Sequence, residues 1–489
     1  MTTSSEPHPF AARVHRRGTS SAQPPSFTRR RPHFVRIRLV SVVSAAVIAM
    51  AVAACGRPFE EAARPRIDIL SPDLSSVQVE RQMQLSVRVT SSIQIERIVA
   101  GDDTLTYDED GNAWNGEYVL SNGLNRIVLS ITDADLQTTL DTVYALQDVL
   151  TAARSTPHLP ESRGGHTTTM TDDGTLYIFG GAPHATAAAI STNLVWRDGA
   201  SVIEALDQDL SAARIGHAAA LLPDGRILIT GGSRKEEVGI VDDLVESVEV
   251  FDPVSESFDV LPVEGEPIRR AYHTASLHEI DGEVFVDLYG GVGDDSYNPP
   301  ILGIRSDVRR FRVDADRLVA LDPAPGPRLN HRISGHSQIQ LFPNIDTNRR
   351  DLITGTHYAE IVEQDVSFEL EYAPNIGLLQ HTVRFPNTPR ERHAAVLLED
   401  GFVGIFGGRQ GSYDRAVSRT EIYAAAAKGY FHYADVNIPM SRYGHTATKV
   451  REKRILILGG FLPSGEGAVT TELFQIPDFN YGWTGADTP

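Results

Sequence analysis

Between Arg214 and Pro253 the chain carries, in order, Arg214 and His217, the run Ile227-Leu228-Ile229-Thr230-Gly231-Gly232, and Glu249-Val250-Phe251-Asp252-Pro253. Short apolar and β-branched runs bounded by turn residues predict strands, because such side chains pack well on a pleated surface. A pair of glycines closing a strand marks backbone that turns with positive φ, or approaches a neighbour too closely for a Cβ. The unit therefore reads as an Arg and a His ahead of one strand, a second strand closed by Gly-Gly, a variable loop, and a third strand opening on glutamate.

The same order recurs along the chain. Copy one has Arg163, His166 and Leu176 to Gly181; copy three has Arg270, His273, Tyr289-Gly290-Gly291 and Val308 to Phe311. Copy five has Arg392, His393, Phe406-Gly407-Gly408 and Glu421-Ile422-Tyr423, and copy six has Arg442, His445, Leu458-Gly459-Gly460 and Glu472-Leu473-Phe474. Copy four keeps Arg332 and His336 but has Thr354-Gly355-Thr356 in place of the double glycine. Histidines at 166, 217, 273, 336, 393 and 445 step by 51 to 63 residues, the period of a repeat unit that stacks against its neighbours. Residues 152–489 resemble the Kelch family in these motifs. The family's outer-strand tryptophan is mostly missing, with Phe258 and Tyr433 in similar places. The resemblance implies an all-β fold, a six-bladed Kelch-type β-propeller whose closure removes exposed sheet edges. A seventh blade would have to come from residues 60–150.

Residues 64–149 alternate apolar and polar positions over Val77 to Val89, Ile93 to Val99, Gly116 to Leu120, Asn125 to Ile131 and Thr138 to Leu146. Strands of that length and spacing predict a small antiparallel sandwich. The stretch from Trp114 to Asp133 is similar to the end of bacterial Ig-like domains. Asp108, Asp110 and Asn112 alternate as in a calcium loop, but no glycine follows in the required place, so this segment reads as a hairpin turn.

Arg29, Arg30, Arg31, Arg36 and Arg38 precede an uncharged apolar run from Leu39 to Ala54, which ends directly before Cys55, the chain's one cysteine. Residues 1–54 read as an export signal with an over-long start. Val52-Ala53-Ala54-Cys55-Gly56 resembles the lipobox of bacterial lipoproteins, which implies lipidation of Cys55 and a lipid anchor in the cell envelope, outer membrane or cell surface, with 55–63 as a linker. One cysteine also precludes an intramolecular disulfide. After residue 54 the chain holds 37 bases against 63 acids. That charge repels phosphate backbones, so nucleic acid is not an expected partner. With only four lysines, the balance also fits a surface kept soluble at high salt.

Six histidines invite a metal reading, since neutral imidazole binds zinc and copper. Each occupies the same place in a different repeat, so a radial propeller is expected to hold them apart, tying strands rather than binding metal. No phosphate-cradling Gly-rich loop ending in Lys and Ser or Thr occurs, and the cysteine–tyrosine cofactor of galactose-oxidase-like propellers has no second cysteine to use. Asp346 to Asp351 faintly resembles a calcium loop and reads as a surface turn. The expectation is no catalytic residue, no metal and no cofactor.

Binding is expected in the loops after each Gly-Gly, which vary while the strands repeat. They offer Asp294, Asp295 and Tyr297 in copy three, His357 and Tyr358 in copy four, and Arg409, Tyr413, Asp414 and Arg415 in copy five. Aromatic faces beside charged groups suit a polar ring-shaped ligand. The sequence thus reads as a membrane-anchored extracytoplasmic binding or scaffold protein for a glycan or an envelope protein. The alternative is a sugar-processing enzyme, an epimerase or mutarotase on a Kelch propeller. Charged residues converging on the axial mouth would favour a small ligand; a broad apolar patch would favour a protein.

Overall fold

The structure, a computed structural model, describes residues 65–478 except 153–157, 295–301, 322–328, 342–348, 359–362, 374–376, 384–385, 412–414, 426–429 and the single positions 75, 79, 198, 239, 400, 435 and 452. The export signal, Cys55 and the linker lie outside the described residues.

Among the described residues from 151 onward, each copy of the repeat forms one sheet, antiparallel apart from the short parallel pairing of Val263–Glu264 with Leu318–Ala320 in blade 3, and a further small sheet joins Arg270–Ala271, Val292–Asp294 and Leu302–Ile304. In blade 2 the strands are Ala218–Leu221, Ile227–Thr230, Val248–Asp252 and Ser257–Leu261. In blades 1, 2 and 5 the second strand is wholly buried, over Thr175–Phe179, Ile227–Thr230 and Phe402–Phe406. Such a strand has blades on both faces and so reads as a continuous apolar run, without alternation. The first strands of the six blades neighbour one another in a closed cycle that returns from Thr446–Val450 to Thr167–Met170. The described strands from residue 151 onward thus form a closed ring of sheets, a β-propeller, with one blade for each of the six repeat copies. Its sixth blade is completed by Thr151–Ala152, which pairs with Thr471–Gln475, so the two ends of the propeller segment are joined by hydrogen bonds.

Residues 65–150 do not add a seventh blade. They form two four-stranded sheets, one with Arg66–Ser71 and Gln82–Thr90, the other with Gly123–Asp133 and Thr138–Gln147. Leu85, Val87, Ile98, Ile127 and Leu129 fill the space between them. Asp108 to Asn112 lies in the hairpin between Thr106–Asp108 and Ala113–Val119. Arg66–Ser71 is a strand the sequence reading missed. The sandwich is continuous with the propeller: Val77 N–H donates to Tyr433 C=O at 2.8 Å, and Val77, Leu146 and Leu150 share a core with Phe406 and Phe474 of blades 5 and 6.

The double glycines are the joints between blades. The second glycine donates to the carbonyl of the next blade's Arg position, as Gly181 to Arg214, Gly232 to Arg270 and Gly460 to Arg163, at 2.8–2.9 Å. A Cβ on the first would collide with the same carbonyl, 2.5 Å away at Gly180 and at Gly459. The arginines behave as structural residues: Arg214, Arg270, Arg390 and Arg442 each donate to the first glycine's carbonyl in their own blade. Carboxylates neutralise them, the buried Glu249, Asp307 and Glu421 and the partly buried Glu472 respectively.

Two assignments from the repeat are corrected here. In copy five the structural arginine is Arg390, three residues before the histidine as in the other blades, and Arg392 has a different task. In copy four that position is Ile333, whose carbonyl accepts from Gly291 at 2.8 Å; Arg332 is one residue out of register. Without its second glycine, blade 4 continues as one long strand, Arg350–Tyr358.

Candidate functional site

The residue before each repeat histidine sits at the propeller axis. These six residues, Gly165, Gly216, Tyr272, Gly335, Arg392 and Gly444, are joined N–H to C=O in a closed ring of hydrogen bonds of 2.6–2.9 Å, each donating to the blade before it. All six have φ between 50° and 67°, a left-handed conformation that glycine adopts freely and that costs other residues about 1–2 kcal/mol. Four positions are glycine. At Gly335 a Cβ would come within 2.8 Å of the Arg392 side chain, so the glycines also make room for the two exceptions. Non-glycine residues held in this region concentrate at functional sites, and Tyr272 and Arg392 both line the axial cavity.

That cavity has a volume of about 150 Å³ and is walled by the ring glycines, all six repeat histidines, Glu236, Tyr272 and Arg392. All six repeat histidines border this one space, because the first strands converge on the axis. Their chemistry is nonetheless structural. Burial, with a contribution from Arg163 at His166 and Arg390 at His393, pushes His166, His336 and His393 down to about 3, so they are neutral. Nε2 of His166, His217, His273 and His336 pairs with a threonine hydroxyl of the neighbouring blade, at 2.8–3.2 Å. Among the described residues no group of three or more His, Cys, Asp or Glu side chains is placed to hold a metal ion.

Charged groups cluster at the mouth. Glu236, from the loop after Gly231-Gly232, forms an ion pair with Arg392 and lies 3.9 Å from Arg409 Nη1. Tyr272 Oη donates to Glu236, with its carbonyl at 2.7 Å and Oε2 at 2.9 Å. The Arg392 guanidinium lies 3.9 Å from the centroid of the Tyr272 ring, and Arg409 lies 4.9 Å from that of Tyr443. Glu391 holds Arg409 Nε at 2.7 Å. Glu236 and Glu391 are almost wholly buried. Burial first, then the Arg409 charge, push the Arg392 pKa well below the usual arginine value; the group remains cationic beside Glu236, as guanidinium does in proteins. Burial raises the Tyr272 and Tyr443 phenols, so both stay protonated.

Of the loop residues expected from sequence that the structure describes, Arg409 alone joins this cluster. Asp294 ends the short strand Val292–Asp294 and accepts from Arg269 at 3.2 Å, away from the cavity lining. Arg415 is exposed on the loop, its carbonyl accepting from Gln410. His357 and Tyr358 lie in the blade 4 hairpin, paired with Gln364 and Glu363. Asp295, Tyr297, Tyr413 and Asp414 lie outside the described residues. The sequence reading missed Glu236, Tyr272, Glu391, Arg392 and Tyr443. A signal was available for two of them, since Tyr272 and Arg392 interrupt a column of glycines.

No family model and no curated protein matches the chain. Among solved structures, it is similar to YjhT, at 15% identity and a TM-score of 0.48, over 66% of this chain and 97% of that one. It is also similar to a fungal alcohol oxidase of the AA5 family in complex with copper, at 12% identity and a TM-score of 0.42, over 84% of this chain and 76% of that one.

Proposed function

We propose that this protein is an extracytoplasmic, membrane-anchored binding protein of Kelch type whose propeller takes a small polar ligand at the axial mouth. The observation that carries the proposal is the compact group of Glu236, Tyr272 and Arg392 lining a cavity of about 150 Å³, with Arg409 beside Glu236. A few convergent polar groups in a concave site are what small-ligand recognition requires, whereas a protein partner would call for a broad apolar face. Two of these residues hold strained backbone, a cost that blade packing does not need, since glycine serves at the other four positions.

Saturation-transfer NMR of the chain lacking residues 1–55 against a library of monosaccharides and small metabolites tests the reading. Arg392→Ala and Tyr272→Ala should abolish the signal of any binder; a binder unaffected by both would place the site elsewhere. The anchor is tested separately, since Cys55→Ser should release the protein from membranes.

A second reading, a sugar epimerase or mutarotase, is favoured by the Tyr272 hydroxyl hydrogen-bonded to the Glu236 carboxylate at the cavity. A phenol and a carboxylate in contact can pass a proton. Exchange NMR of sugar anomers with and without the protein discriminates the two, because a pure binding protein leaves the exchange rate unchanged.

A further inference from the structure

Glu236 belongs to blade 2, yet its carboxylate meets arginines of blade 5, on the far side of the ring. This loop acid, 1% exposed, accepts from Tyr272 of the adjacent blade 3 and also reaches across the axis, so it does more than tie neighbouring blades together. The cluster's charges also divide unevenly. Glu391 is fixed to Arg409 through both the side chain and paired backbone hydrogen bonds, N–H to C=O in each direction at 2.9 Å. Glu236 is the carboxylate that answers Arg392. Take it away and a buried guanidinium is left with no anion, which is far more costly than leaving a neutral group. The seat around Arg392 therefore demands an oxyanion, and the Tyr272 ring holds the guanidinium plane in place by its face.

Building on the axial-ligand reading above, we propose that Arg392 and Arg409 form a seat for an oxyanion of the ligand, a carboxylate or a group of like shape and charge. Glu236 is its internal occupant, which the ligand displaces. Displacement moves one carboxylate out and another in, so the buried charge is conserved, and a neutral ligand has no means of making the exchange. The Glu236 side chain then acts as a competitor that sets affinity: weakening its hold strengthens the ligand's.

The test is chemical rescue with acetate. Glu236→Ala should lower the melting temperature, and acetate should restore at least half of that loss in a saturable manner. Acetamide, and sodium chloride at the same ionic strength, should restore less than a tenth. Glu236→Ala combined with Arg392→Ala should lose the rescue. Should Glu236→Ala fail to fold, Glu236→Gln keeps the shape with a weaker hold on the arginines, and acetate should stabilise it with a half-saturating concentration at least fivefold below that of the wild type. Acetate and acetamide acting alike in the folding variant, or no restoration by acetate, would overturn the proposal. The two readings fail separately: a neutral ligand lost on Tyr272→Ala would keep the axial site and remove the oxyanion seat.

Discussion

Removing the carboxylate of Glu421 is the sharpest test of what holds a blade together. Both Glu421 and its partner Arg390 have fully buried side chains. Besides that ion pair, the carboxylate accepts from the backbone N–H of Asn387 at 2.7 Å and of Thr388 at 3.0 Å. Glu421→Ala therefore strands a buried guanidinium and two backbone donors. Breaking a buried pair from one side costs about 3–5 kcal/mol, because the remaining charge stays buried without compensation. At about 2–4 °C per kcal/mol for a large domain, the melting temperature should fall by roughly 10 °C. Glu421→Gln keeps an acceptor for one N–H and should lie between Ala and wild type. Glu161 is the internal control: it lies 3.8 Å from Arg163 with its side chain 68% exposed, and Glu161→Ala should cost no more than about 0.5 kcal/mol, the scale of a surface pair. Urea unfolding followed by circular dichroism, with reversibility checked by refolding, measures all three. A loss below about 1 kcal/mol for Glu421→Ala would refute the argument that the repeat arginines depend on their carboxylates.

Three further outcomes are expected. Stability should fall as pH drops from about 6.5 toward 5, because His166, His336 and His393 are held near 3 when folded, while the unfolded chain takes up protons below its ordinary histidine value; each contributes up to about 1.4 kcal/mol per pH unit, and a urea midpoint unchanged between pH 7.5 and 5.5 would contradict this. Gly459→Ala should cost more than about 2 kcal/mol, since its φ is +56° and the new Cβ would lie 2.5 Å from the Arg163 carbonyl. Gly225→Ala, at φ +89° with nothing within 4 Å, should cost only the conformational strain, about 1–2 kcal/mol; equal losses in a melting comparison would mean that contact with the next blade is unimportant. EDTA should leave the melting temperature unchanged, as the repeat histidines are neutral and occupied in packing, and a drop restored by zinc or calcium would contradict that.

What the sequence by itself determined was the repeat and, through it, the fold. Period and order of the Arg, His and Gly-Gly marks fix six equivalent units, because each mark serves a joint that every blade must make: Gly232 lies against Arg270 of the next blade as Gly460 lies against Arg163. Local patterning also found most strands of the sandwich but passed over Arg66–Ser71, whose alternation of Arg66, Ile67, Asp68 and Ile69 is short and which pairs with Gln82–Thr90. The register of Arg390 against Arg392, three and one residues before His393, and of Ile333 against Arg332, three and four residues before His336, is misassigned when the arginine nearest the histidine is taken. The contacts decide it: Arg390 donates to the Gly407 carbonyl, and the Ile333 carbonyl accepts from Gly291 of the preceding blade. The binding site was decided only by tertiary structure. Glu236, Arg392 and Tyr443 are separated by up to about 200 residues in the chain and come together because a closed ring brings every blade's leading residue to one axis. Variable loops marked the right face in Arg409 but not the site, because the axial residues are placed by the ring's hydrogen bonds and not by loop composition.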